Sequence, residues 1–324
     1  MPWDIAGHRN EVASLRSAVT SGQAAHAYMF AGVKGIGKAR LARLFAQALL
    51  CESSPSEAPC GSCRSCLRVD HGNHPDLHWL TPIGSSFRID QVRAMQAQIS
   101  RRPYEGRYKI CVLDDAETLT EQAQNSMLKV LEEPPGNGIL LLIVHRPAAI
   151  LPTIHSRCQT VSMRPVATEV ITQWLLNRCD ITPQQAALLA ALSGGRPGVA
   201  LDLEAEAVIA DRDRVASWSI ALRRDRLKAV WPIASELEVE KDLDDWLGMM
   251  MTWFRDVWHR FLDPELPVTN IDAIEQLDEE AAGWQTAALQ ALVAIGEARR
   301  ALSRNGQKRL VLDVMLMRMQ RGIP

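Results

Sequence analysis

The stretch Gly32-Val33-Lys34-Gly35-Ile36-Gly37-Lys38-Ala39 has the spacing of a loop that cradles phosphates: glycine, four residues, glycine, lysine. In such loops backbone N–H groups and the lysine hold phosphate oxygens, and a Ser or Thr in the next position ligates magnesium. Here that position is Ala39, so the hydroxyl is missing. Gly32, Gly35, Gly37 and Lys38 are therefore candidate nucleotide-binding residues of a degenerate site. Binding of ATP with Mg2+ is left open, and hydrolysis is not expected. The apolar run Lys109 to Leu113 ends in Asp114-Asp115. An acid at such a strand end helps to hold magnesium in phosphate-loop sites, which makes Asp114 the fifth candidate. Taken alone, the pair reads equally as two solvated acids.

Cys51, Cys60, Cys63 and Cys66 are separated by eight, two and two residues. Two successive Cys-x-x-Cys steps let turns present thiolates to one tetrahedral zinc ion, with Cys51 as the fourth ligand. Four protein ligands leave no open position, so the expected Zn2+ is structural. The competing reading is a group of free thiols or a redox pair. Cys111, inside an apolar run, reads as a core residue. His8, His26, His71, His74 and His78 are scattered and read as loop and packing residues. Ser156-Arg157-Cys158 precedes the last strand signal, and a lone arginine there is ordinarily a surface residue or an ion-pair partner.

The elements that would position these groups alternate. Tyr28 to Ala31 is a short apolar strand running into the glycine loop, and Leu41, Leu44, Phe45, Ala48 and Leu49 recur at helical spacing after it. Residues 51–75 interrupt the pattern as an inserted cysteine module. Leu77 to Leu80 reads as a strand, Ile89 to Ile99 as an amphipathic helix, and Lys109 to Leu113 as a strand. Glu121 to Leu131 reads as a helix stopped by Pro134-Pro135-Gly136. Ile139 to Val144 and Gln159 to Val161 complete the strands. Strands alternating with helices imply a parallel sheet covered on both faces, an α/β fold. After Arg164-Pro165 the signals are helical, with Thr182-Pro183 as a helix start. Leu310 to Met319 is apolar nearly all round, which calls for burial on several sides, in part by other subunits.

Hydrophobic residues make up 47% of the 324, charged residues 23%, and the net charge is -2. No strongly basic field marks a free-standing nucleic-acid binder or a membrane-surface protein. The run Ile139 to Val144 is too short to span a bilayer, and Met1-Pro2-Trp3-Asp4 opens no leader peptide. Seven cysteines without an export signal fit a reducing cytoplasm.

Four strings together resemble the bacterial clamp-loader subunits of DNA polymerase III, members of the AAA+ class. They are His26-Ala27-Tyr28-Met29-Phe30-Ala31-Gly32, Asp114-Asp115-Ala116-Glu117, Asn125-Ser126-Met127-Leu128-Lys129-Val130-Leu131-Glu132-Glu133-Pro134-Pro135, and Ser156-Arg157-Cys158. The likeness is strongest over 1–165, and Arg309-Leu310-Val311-Leu312-Asp313-Val314 resembles a collar helix. It implies an AAA+ parallel-sheet domain with its zinc module over 1–165, a helical lid over 166–208 and an all-α collar over 209–324. It also implies a hetero-oligomeric ring with gamma or tau and delta subunits, acting on the beta sliding clamp and primed DNA. Within the family the ATPase type, gamma or tau, is the alternative. Ala39, Asp115 in place of Glu, His145 in place of Thr and Gly198 in place of a sensor Arg favour the non-hydrolysing delta-prime type. Carried over on the Ser-Arg-Cys string, Arg157 would be an arginine finger acting on a neighbour's ATP.

Overall fold

The computed structural model describes residues 3–321. Met1 and Pro2 of the expected first domain, and residues 322–324 of the expected collar, lie outside the described residues. The chain divides into two compact units, Met1–Ile171 with Gly195–Val199, and Thr172–Gly194 with Ala200–Pro324.

The first unit runs α1 (Arg9–Ser21), β1 (Ala27–Ala31), α2 (Lys38–Leu50), α3 (Arg64–Asp70), β2 (Leu77–Leu80), α4 (Ile89–Ile99), β3 (Lys109–Leu113), α5 (Glu121–Glu132), β4 (Gly138–Val144), α6 (Pro152–His155) and β5 (Gln159–Ser162). Its sheet is five-stranded and parallel, in the order β2-β3-β4-β1-β5. Every residue of β1, β3 and β4 is buried. That is why these strands read as continuous apolar runs: parallel strands are covered on both faces. The alternation of side chains sorts them. Tyr28, Phe30, Val112, Leu141 and Ile143 pack with Leu15 of α1 and with Leu41 and Phe45 of α2. Met29, Cys111, Leu113, Leu140 and Leu142 pack with Val92 and Met95 of α4 and with Ala123 and Met127 of α5. Cys111 is thus a core residue, as the apolar run implied. β5 is an edge strand, and only Val161 of its four residues is buried.

The topology does one thing for function. β3, β4 and β1 are neighbours, so the segments leaving their C-terminal ends emerge side by side. These are Asp114-Asp115, His145 and the glycine loop.

The second unit is helical. Around the boundary lie α7 (Thr168–Leu176), α8 (Pro183–Leu192) and α9 (Pro197–Asp202). Thr182 caps α8 by accepting from the Gln185 N–H while the Gln185 side chain accepts from the Thr182 N–H, a reciprocal box at the helix start that Thr-Pro signalled. Then follow α10 (Ala205–Arg224), α11 (Leu227–Val239), α12 (Leu243–Leu262), α13 (Ile274–Trp284), α14 (Ala287–Leu302) and α15 (Lys308–Gln320). Their core holds Trp253, Phe254 and Trp284, with Phe254 edge-on to Trp284 at 4.8 Å. The carboxylate of Glu280 is buried among them, held by Ser219, Arg223 and the Trp284 indole. α15 departs from the expectation of burial on several sides. Leu312, Met315, Leu316 and Met319 are buried, but Leu310 is 59% exposed and Val314 39%.

Candidate functional site

The glycine loop joins β1 to α2, and its conformation needs its glycines. A Cβ at Gly32 would lie 2.5 Å from the Met163 carbonyl oxygen. Gly35 has φ 82°, and a Cβ there would lie 2.6 Å from Val199 Cγ2. The Gly198 N–H donates to the Gly35 carbonyl at 2.8 Å, so the return segment 195–199 lies directly on the loop. Gly37 is the N-cap of α2 in the left-handed region, which leaves the helix without a side-chain cap.

Lys38 is 3% exposed and does not project into solvent. Its Nζ donates to the carbonyls of Gly32 at 2.7 Å and Val33 at 2.8 Å, and meets His145 Nδ1 at 2.5 Å. An ammonium has three protons, so all three are taken by the protein. With Nδ1 accepting, the His145 proton sits on Nε2, which donates to Asp115 Oδ1 at 2.7 Å. Glu117 accepts from the His145 backbone N–H at 3.1 Å. Burial pulls the Lys38 pKa from 10.5 down to about 8, while Glu117, Asp114 and Asp115 act in the opposite direction. Asp114 accepts from the Trp79 indole N–H at 3.2 Å, and burial raises its pKa. Asp115, in the left-handed region at φ 60°, aims its carboxylate at His145.

The structure therefore brings Gly32, Gly35, Gly37, Lys38 and the Asp114-Asp115 corner to one end of the sheet. It adds a residue that local sequence did not reveal as a partner, His145, which lies 107 positions from Lys38. The sequence marked His145 as a departure at the end of β4, not as a contact of Lys38. The arrangement is a glycine loop whose lysine has its three donors taken by the protein.

The four cysteines form a second site. All four Sγ atoms lie within 4.8 Å of one another. Cys60 Sγ and Cys66 Sγ are 4.0 Å apart. Zinc–sulfur bonds of ~2.3 Å in a tetrahedron put sulfurs about 3.8 Å apart, so the donor set fits a zinc ion. Backbone N–H groups point at the sulfurs: Cys60 N to Cys51 Sγ at 3.5 Å, Cys63 N to Cys60 Sγ at 3.3 Å, and Cys66 N to Cys63 Sγ at 3.3 Å. The seven cysteines are all free of disulfides. The module is fastened below by the Gln47 amide on the Cys66 carbonyl and by the Ser65 hydroxyl on the Leu50 carbonyl. His74 belongs to this fastening, with Nε2 2.8 Å from Ser65 Oγ and Nδ1 accepting from the Asp76 N–H.

Arg157 lies just past α6 and has its partners there and on α5. Nη1 donates to the Thr153 carbonyl at 2.9 Å and Nη2 to Glu132 Oε1 at 2.8 Å, with the side chain 36% exposed.

Comparison with known proteins places these sites in context. The family described as DNA polymerase III, delta subunit matches residues 7–167. The DNA polymerase III subunit delta' of Bacillus subtilis is 30% identical over 314 residues, covering 95% of this chain and 94% of that one. The subunit delta' of Pseudomonas aeruginosa is 35% identical over 237 residues, 72% of this chain and 70% of that one. The DNA polymerase III subunit tau of Escherichia coli is 30% identical over 223 residues, 67% of this chain and 34% of that one.

Proposed function

Because the chain belongs to the family of DNA polymerase III delta' subunits, we propose that it is the member of a clamp-loading complex that does not hydrolyse ATP itself. In this reading it assembles with gamma or tau and delta subunits in the cytoplasm and helps to open the beta sliding clamp and place it on primed DNA. The observation that carries the non-hydrolysing role is Lys38. Its ammonium donates to Gly32, Val33 and His145, and no hydroxyl stands at Ala39 to hold magnesium. A nucleotide would have to break these three contacts before gaining one from the lysine. Gly32, Gly35, Gly37 and Asp114 then keep the architecture of the site rather than its chemistry.

The chemistry is supplied to a neighbour. Arg157 is exposed enough to reach a second chain, and its guanidinium keeps donors unused by Thr153 and Glu132. A planar, always charged fork can donate to two phosphate oxygens at once and stabilise charge on a transferring phosphoryl group. The region 1–165 would form the ring-facing AAA+ domain, 166–208 the lid and 209–324 the collar. Cys51, Cys60, Cys63 and Cys66 would hold one structural zinc. Among the described residues no helix is long and apolar enough to cross a membrane.

The alternative, a gamma- or tau-type ATPase subunit, has support in the tau relative. Lys38 and Ala39 oppose it. Two measurements decide. The purified chain should release no phosphate from ATP above background, and steady turnover would establish the alternative. The chain should co-purify with gamma or tau and delta subunits. In that complex Arg157→Ala should leave assembly intact and lower DNA-stimulated ATP hydrolysis several-fold, with Arg157→Lys recovering little. An unchanged rate in the assembled variant would return Arg157 to an ordinary surface ion pair.

A further inference from the structure

We propose that Glu132 is a positioning residue for Arg157, holding the guanidinium in the orientation from which it engages a neighbouring subunit's nucleotide; this rests on the finger role proposed above. The argument begins with a misplaced charge. Glu132 is the last residue of α5 and Glu133 caps it. Acids at a helix C-terminus face the negative end of the macrodipole and are unfavourable there unless a cation answers them. The cation that answers Glu132 is Arg157, at 2.8 Å, brought from 25 residues away.

The same arginine closes a second helix end. Its Nη1 donates to the Thr153 carbonyl, which the four-residue helix α6 leaves to side-chain donors and which also accepts from the Ser156 hydroxyl. One guanidinium thus spans the C-termini of two helices, with one nitrogen fixed to each. Pro134 follows directly and keeps Glu133 out of the helical region, at φ -122° and ψ 73°, so α5 ends there. Two anchors on a planar group fix the direction of its remaining N–H donors. A free arginine would have to lose its rotamer freedom each time a phosphate arrived. Here much of that ordering is already done.

The tether is also weak enough to coexist with function. Glu132 is 52% exposed and Arg157 36%, and exposed ion pairs contribute little to stability. Glu132 therefore orients the finger without locking it to its own chain.

The test is a double-mutant cycle in the assembled complex with gamma or tau and delta, reading kcat and KM for DNA-stimulated ATP hydrolysis. Glu132→Ala should lower kcat roughly two- to fivefold, the range an exposed pair supports, with KM for ATP unchanged. Glu132→Gln keeps an oxygen that accepts from Nη2 and should recover part of the loss. In the Arg157→Ala background Glu132→Ala should cost nothing further. Glu132→Ala at the wild-type rate, beside an impaired Arg157→Ala, overturns the positioning role alone. An equal loss from Glu132→Ala with and without Arg157 marks a structural role and also overturns it. Arg157→Ala at the wild-type rate removes the finger role, and this inference with it.

Discussion

Lys38 shows how a lysine in a glycine loop can be spent on its own chain. It keeps its place in the glycine loop, is almost fully buried, and is satisfied by two carbonyls and His145. This has a titration consequence. Its folded-state pKa of about 8 lies below its ordinary 10.5, so between those values the unfolded chain binds more protons than the folded one. Stability from this group therefore rises as pH climbs through that window, and the burial penalty is fully present below it. Relative to a Lys38→Met variant, the wild-type unfolding free energy should gain up to about 3 kcal/mol from pH 8 to pH 10.5, at ~1.4 kcal/mol per pKa unit. Denaturant titrations across that range check it, and a pH-independent difference between the two chains would refute it. The site's residues were legible singly: glycines, lysine, missing hydroxyl and acid corner all stand in the sequence. The contact that defines the state was not. A Lys38–His145 pair joins the ends of two strands that are neighbours in the sheet but far apart in the chain, so it leaves no local pattern.

At the scale of elements, legibility followed burial. β1, β3 and β4 are buried throughout and announced themselves as unbroken apolar runs. The long helices of the second unit showed their periodicity. What escaped were short pieces held by side chains rather than by pattern, notably α3 with seven residues and α6 with four. Both hold candidate groups: Cys63 caps α3, and α6 presents Thr153 to Arg157. α3 rests on the cysteine set, since Cys63 caps it by accepting from the Cys66 N–H. Cys63→Ser should therefore lose the bound zinc and loosen α3 together, because ligation free energy is folding free energy in such modules. Elemental analysis of protein prepared in reducing, chelator-free buffer should find one zinc per wild-type chain and a substoichiometric amount in the variant. Exchange of the amide protons over residues 60–70 should rise in the variant while β3 and β4 stay protected. A wild-type chain free of zinc would leave the cluster as thiols.

For the molecule as a whole, α15 is the element whose sequence asks for more cover than its own unit gives. Leu310 and Val314 remain exposed on an apolar helix whose other side is packed on the core of the second unit. Leu310→Asp should leave the isolated chain within about 0.5 kcal/mol of wild type, as exposed sites generally do. If the collar seats against other subunits, the same change should weaken assembly, visible as a shift of the complex toward free chains in sedimentation. Assembly at wild-type strength would exclude this face from the ring contacts. The partition of the chain has a practical consequence for dissecting it. The first unit is not a contiguous stretch: the chain leaves it at Ile171, returns for Gly195–Val199, and leaves again. That brief return puts Gly198 on Gly35 and Val199 against the glycine loop. A recombinant fragment cut at Ile171 would thus be a domain missing its own latch, and its glycine loop would not report the behaviour of the intact one. Expression boundaries for the first unit belong after Val199, with the intervening stretch kept or replaced by a linker, and never at the point where the strands end.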